Sequence, residues 1–215
     1  MADPATPTPS PQRVPIRSLD EAHRAAILAH LLGLAPEDRY LRFGYAANDE
    51  QIGRYVAGLS FERDVVFGVF NRQLVLIALA HLAYAIDKDC ANCAEFGVSV
   101  SRHARGRGYG RQLFERSVVH ARNQGVTLLF IHALSENMAM LHIARQGGAV
   151  IERDGSESQA HLRLPPADFE SHVAEMLEEQ VARTDYQLKR QSRRFWQVLH
   201  GLQALRWGSG NNGQG

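Results

Sequence analysis

Arg105-Gly106-Arg107-Gly108-Tyr109-Gly110 carries three glycines at alternate positions inside a basic stretch. Glycine adopts positive φ without steric cost and lets backbone approach a ligand closely. Ahead of this turn lies an apolar, Val-rich run, Ala94 to Val100; behind it the pattern turns helical. A helix that opens on such a turn presents unpaired N–H groups and the positive end of its dipole. The stretch is therefore expected to hold an anion, most naturally a phosphate. Arg102, Arg105, Arg107 and Arg111 add positive charge around the same point. Spacing narrows the choice of ligand. The turn lacks the Gly-Lys-Ser/Thr ending of a P-loop, and Arg111 stands where a dinucleotide fingerprint needs its third glycine. Glu95 is the one acid on the preceding run, ten positions before Arg105.

The elements that must position these residues follow from the pattern on either side. Val14 to Arg17 reads as a short strand. Ser18-Leu-Asp-Glu21 reads as a capping box that opens a helix to about Leu32, stopped by Gly33. Pro36 to Phe43 is expected to be irregular or a single turn, and Asn48-Asp-Glu-Gln51 caps a helix through about Gly58. Val65 to Phe70 and Leu74 to Tyr84 are apolar runs around a short turn, an antiparallel hairpin. The helix after the glycine turn ends near Gly125. Val126 to Ala133 lacks alternation and is expected to be a strand buried on both faces. Ser135 is expected to cap a helix from about Glu136 to Gln146, stopped by Gly147-Gly148. Ala149 to Arg153 and Gln159 to Leu164 read as a closing pair of strands, and Pro165-Pro166 ends the sheet.

Arg105-x-x-Gly108-x-Gly110, set between a strand and a helix, resembles the acetyl-CoA pyrophosphate loop of the GNAT (GCN5-related) N-acetyltransferase superfamily. A second stretch, Asn137 to Ala149, is similar to that family's N-x-x-A-x-x-L-Y-x-x-x-G-F helix, with Asn137, Met140, Ile143 and Gly148 in place. The two motifs stand in the family's order, and the resemblance covers about Arg13 to Leu164. It implies an α/β fold with a mixed, mostly antiparallel central sheet. One parallel strand pair, here Ala94–Val100 and Val126–Ala133, would splay apart. Acetyl-CoA would lie in that gap as cosubstrate, with no metal. By resemblance, Val98 and Val100 would bond the pantetheine and hold the thioester carbonyl. Backbone N–H groups from Arg105 through Gly106, Arg107, Gly108, Tyr109 and Gly110 would take the pyrophosphate. Asn137 joins the cofactor-binding set through the second motif.

The spacing of Glu95 resembles bacterial protein-lysine acetyltransferase-type domains, in which a glutamate at this place is the proposed general base. An amine acceptor with a pKa of about 10.4 must lose a proton before it attacks. The alternative is a structural carboxylate paired with an arginine across the sheet. His132 is a weaker candidate for proton relay, and His81 and His142 are weaker still. Many members carry a tyrosine that protonates the departing thiolate; here that position is Ala144. Lysine acetyltransferases of this type often do without it. In the family the second helix region lies beside the acceptor, so Arg39, Tyr40, Arg42 and Phe43 either face substrate or pack on the sheet. The resemblance implies acetyl transfer to a primary amine by direct attack in a ternary complex. The acceptor would be a protein lysine or N-terminus, with a small-molecule amine as the rival and a non-catalytic acyl-CoA sensor as the other class.

A formal net charge of +1 over 215 residues makes no global case for nucleic acid or a membrane surface. No stretch approaches the roughly 18 apolar residues of a spanning helix. The opening MADPATPTPSPQ lacks a signal-peptide pattern, and two cysteines fit a reducing cytoplasm. Cys90-Ala-Asn-Cys93 has no second ligand pair and reads as two incidental thiols. Residues 1–12 and 207–215 read as disordered tails around a domain at 13–165 and a long C-terminal helix at 166–206. In that helix Val173, Leu177, Val181, Thr184, Leu188, Gln191, Phe195, Val198, Leu202 and Leu205 recur in steps of four and three. Such a seam must be covered by its own domain or a second copy, and its narrowness points to a homodimer. The basic end of the helix reads as a solvated face.

Overall fold

A computed structural model describes residues 14–85, 92–154, 157–168, 171–187 and 189. The chain runs β1 (Arg17–Leu19), α1 (Arg24–Leu32), α2 (Pro36–Phe43), α3 (Asp49–Ala57), β2 (Val65–Phe70), β3 (Leu76–Tyr84) and β4 (Cys93–Val100). It continues with α4 (Tyr109–Asn123), β5 (Leu128–Leu134), α5 (Met138–Gln146), β6 (Val150–Asp154) and β7 (Glu157–Arg163). A last helix, α6, covers 171–187. The seven strands form one sheet in the order β1-β2-β3-β4-β5-β7-β6. Every pairing is antiparallel except β4 with β5. That parallel step needs a crossover, and α4 supplies it. The mixed sheet with one parallel pair is the expected fold class.

The sheet buries apolar side chains on both faces. On one face Phe96 meets Phe114 of α4 edge-on at 5.2 Å, and Met140, Leu141 and Ala144 of α5 close the same core. On the other, Ile27 and Leu31 of α1 and Ile52 and Val56 of α3 cover Val66, Leu76 and Leu79. Strand β4 sits between these layers. Its even-numbered residues point towards α4, and Glu95, Gly97 and Ser99 point towards α1 and α2.

Several local expectations shift. Asp20, not Ser18, caps the first helical turn, accepting from the Ala22 N–H at 3.0 Å in a capping box completed by His23. Ser18 is held in β1 opposite Phe67 and donates to Glu179 at 2.9 Å, so it cannot serve as the cap. Pro36 to Phe43 is a two-turn helix. Pro36 opens it, Glu37 and Asp38 suit its first turn, and Gly44 at φ 79° ends it. Asn137 rather than Ser135 caps α5. Cys93 is disulfide-bonded rather than an incidental thiol. No helix among the described residues is long and apolar enough to cross a membrane.

Helix α6 docks on its domain by a face other than its apolar stripe. It lies on its own domain through Ser171, Glu175, Glu179, Ala182 and Tyr186, while Val173, Met176, Leu177 and Val181 are exposed. The docked face is polar. Arg116 on α4, with its side chain only 3% exposed, reaches Glu175 at 2.8 Å. Glu175 also accepts from His120 at 2.5 Å and from Asn123 at 2.5 Å. Tyr186 packs on Phe70 and lies under the Arg17 guanidinium. The readings of 1–12 as a tail and of the seam beyond Thr184 fall outside the described residues.

Candidate active site

β4 and β5 pair over three positions only: Cys93 with Leu128, Ala94 with Leu129 and Glu95 with Phe130. Beyond that point β4 keeps its partner β3 as far as Val100, and β5 keeps β7 as far as Leu134. The facing edges of the two central strands therefore part, and backbone groups that a ladder would have used are released. A cavity of about 410 Å³ opens at this split. Its walls include Arg42, Glu95, Gly97, Val98, His132 and Asn137.

Glu95 stands at the last paired position, exposed, on the α2 side of the sheet. Its carboxylate makes no hydrogen bond or ion pair among the described residues. No arginine among the described residues pairs with it, so the alternative of a carboxylate locked to an arginine finds no partner there. His132, two residues past the partner of Glu95 on β5, shares its face and the cavity wall. His142 lies exposed on α5 outside that wall. Ala144 is fully buried in the core, so α5 offers no hydroxyl at that position.

The glycine turn lies past the end of β4. Gly106 and Gly108 adopt φ 75° and 76°, the left-handed region that side chains avoid. Gly108 is the N-cap of the fifteen-residue α4 and no side chain caps that end. The first N–H groups of α4 are left for an anion, which fits a pyrophosphate. Gly110 serves packing: a Cβ there would meet Ile143 of α5 at 3.1 Å. The Arg105 guanidinium is spent on Asp38 of α2 at 2.5 Å and on the Val100 carbonyl at 3.3 Å, tying the turn to α2. Arg107 stays exposed and Tyr109 packs on the core. Val98 lines the cavity; Val100 lies further along β4, beside Gly110. Asn137 caps α5 through its carbonyl oxygen and donates to the Leu41 carbonyl of α2 at 3.3 Å, bridging the cavity mouth.

The structure divides the α2 residues. Arg39 is a staple, bonded to Asp49 at 2.6 Å and to the Leu32 and Leu34 carbonyls. Phe43 packs edge-on against Tyr55 at 5.3 Å. Arg42 lies across Gly97, whose missing Cβ would sit 2.8 Å from the guanidinium. Its Nη2 donates to the Tyr55 hydroxyl at 3.0 Å, and that hydroxyl bonds Nδ1 of His81 at 2.8 Å. Nε2 of His81 is 3.5 Å from buried Asp64, an electrostatic contact rather than a hydrogen bond. Burial, followed by the charge of Arg42, pushes His81 down to about 4, so it is neutral at pH 7. Tyr55 and Gly97 went unnoticed in the sequence. The signal for Arg42 was the helix start at Pro36, which sets the phase of α2. Among the described residues no cluster of His, Cys, Asp or Glu could hold a metal ion.

Residues 34–148, more than half of the chain, match the model of the Acetyltransferase (GNAT) family. No curated protein matches the chain. The fold is similar to the GNAT domain of S. lividans PAT, at 19% identity over 69% of this chain and 89% of that one, with a TM-score of 0.59. It is similar to yncA of Salmonella typhimurium, solved with its cofactor acetyl-CoA, at 17% identity over 73% and 97%, with a TM-score of 0.57. A ribosomal-protein-alanine N-acetyltransferase from Brucella melitensis gives 18% identity over 69% and 99%, with a TM-score of 0.54. At these identities the likeness is one of fold.

Proposed function

Because the chain belongs to the GNAT acetyltransferase family and is an acetyl-CoA-dependent N-acetyltransferase, we propose that it acetylates a primary amine by direct attack in a ternary complex, with Glu95 as base. One observation carries this reading: a carboxylate without a hydrogen-bond or ion-pair partner among the described residues stands where the two central strands part. Acetyl-CoA, when bound, supplies the activated acyl carbon. The uncapped start of α4 and the turn from Arg105 to Gly110 would hold its pyrophosphate. The released edge of β4 at Val98 and Val100 would align the pantetheine and polarise the thioester carbonyl, a type of contact worth about 3 kcal/mol. Glu95 would take the proton of the incoming amine, directly or through one water. Asn137 would keep α5 and α2 at a fixed distance across the cavity.

For the acceptor, a protein lysine or N-terminus is supported by the position of Glu95 relative to Arg105. A small-molecule amine is the second reading, favoured by the guanidinium of Arg42 in the cavity wall. CoA release measured against a panel of free amines and peptides tests the function; no release with any amine would end it.

Gly108→Val is expected to weaken acetyl-CoA binding at least tenfold, about 1.4 kcal/mol. The branched side chain meets both the left-handed φ of 76° and the space the phosphate needs. Calorimetry on a folded variant that shows unchanged affinity would remove the turn from the site.

Homodimer formation through the exposed stripe of α6 also stands as a proposal. Leu177 and Val181 are each 62% exposed, and a large apolar side chain gains about 1.5–3 kcal/mol on burial. Leu177→Glu combined with Val181→Glu should halve the mass seen in sedimentation. If the unaltered protein sediments as a monomer at micromolar concentration, the stripe does not pair copies.

A further inference from the structure

Arg42 is a cation held in place without a counter-ion among the described residues. Its guanidinium lines the cavity, its Nη1 has no hydrogen-bond partner among the described residues, and its buried Nε has none either. No carboxylate among the described residues lies within ion-pair distance, Glu95 included. It is also fixed. Tyr55 receives one N–H, His81 and Asp64 hold Tyr55 from behind, and the Phe43 and Tyr55 rings stand 5.2 and 5.6 Å from the guanidinium carbon. Below it Gly97 removes the one Cβ that would push it out of the cavity.

A partly buried, oriented, unpaired guanidinium is unfavourable unless an anion completes it. We propose that Arg42 is the specificity residue of the acceptor site and receives an anionic group, in the first place a carboxylate, carried by the amine that Glu95 deprotonates. The inference rests on the acetyltransferase reading of this site and takes the second of its two acceptor readings, a small-molecule amine. Geometry sets how far apart the two groups are. Glu95 and Gly97 are two residues apart on one face of β4, about 7 Å along the strand. Groups reached from same-face positions this close belong to one small acceptor, and the proposal takes amine and anion on the same or neighbouring carbons, as in an α- or β-amino acid. A polyamine would bring further positive charge to an uncompensated cation. A lysine side chain in a peptide has no anion near its ε-amine.

The test pairs acids with their amides: glycine, β-alanine, L-methionine and L-glutamate against glycinamide, β-alaninamide, methioninamide and isoglutamine. Spermidine and a lysine-containing peptide complete the panel. At least one acid should exceed its amide in kcat/KM by tenfold or more, and should bind the protein–CoA complex in calorimetry. Arg42→Gln should lower that acid's kcat/KM about 10- to 100-fold, mostly in KM, and leave the amide within threefold. Arg42→Lys should restore part of the loss by keeping the charge. Tyr55→Phe, which frees the guanidinium without removing it, should raise KM for the acid severalfold with kcat nearly unchanged. Equal turnover of acids and amides, or preference for spermidine or the peptide, overturns the proposal. So does a loss in Arg42→Gln that is the same for acid and amide. Acetyl-CoA binding is titrated separately. If it is intact while acids are not preferred, only this inference fails; if it is absent, the acetyltransferase reading fails with it.

Discussion

Glu95→Gln should lower turnover by roughly 10² to 10⁴ while leaving acetyl-CoA affinity nearly intact. The substitution keeps the size of the side chain and its place in the cavity wall but removes its basicity. Because no protein group bonds this carboxylate among the described residues, its loss breaks no native contact and stability should hardly move. That separates catalysis from folding more cleanly than a buried acid would allow. His132 shares the cavity and provides the control: His132→Gln should have the smaller effect. Wild-type turnover in Glu95→Gln across the pH range, with chemistry rate-limiting, would move the base elsewhere.

The conformation of the turn proposed to hold the cofactor was legible because it is made of backbone. Positive φ and an uncapped helix start leave a signature in glycine spacing, and the structure puts Gly106 and Gly108 in that conformation. Glu95 was legible for a related reason: it is the one acid on an apolar strand. The proposed acceptor half is made of side chains from α2, α3 and β3 that meet only in three dimensions. Arg42 and Tyr55 are 13 residues apart and Tyr55 and His81 are 26 apart, so no local pattern joins them. Reading Pro36 to Phe43 as irregular concealed which of its two arginines turns inward.

How helix α6 docks was not legible, for a different physical reason. An apolar stripe marks a face to be covered, by the domain or by a second copy, and does not show what else could hold the helix in place. Here the docked face is carried by charge instead. Arg116 is the one charged residue among the buried residues of α4, beside Leu113, Phe114, Ser117 and Ala121. A charge at such a position needs a partner, and α6 brings one. That requirement outweighs the stripe, which is left facing outward.

Removing Arg116 should therefore cost more than any surface charge. Surface ion pairs contribute about 0–1 kcal/mol, whereas deleting one partner of a buried pair costs about 3–5 kcal/mol because the other charge stays behind. Arg116→Ala leaves Glu175, 16% exposed, with only His120 and Asn123, and strips the cation from the Phe67 ring 4.9 Å away. Denaturant unfolding should show the loss, and limited proteolysis should cut within α6 first. Arg116→Met with Glu175→Leu should recover most of it, since two apolar groups of similar size need no counter-charge. Acid gives an independent reading of the same contact. Burial by itself pushes the Glu175 carboxyl up, but bonds from His120, Asn123 and Arg116 outweigh it and hold the group at about 2, against an ordinary 4.5. A depressed carboxyl stabilises the fold above its unfolded value, so this contribution is complete above about pH 4.5 and is lost as pH falls towards 2. Glu175→Gln should flatten that part of the stability curve. If Arg116→Ala costs under about 1 kcal/mol and the acid limb is the same in Glu175→Gln, the docking of α6 rests on Ala182 and Tyr186 rather than on the charge at Arg116.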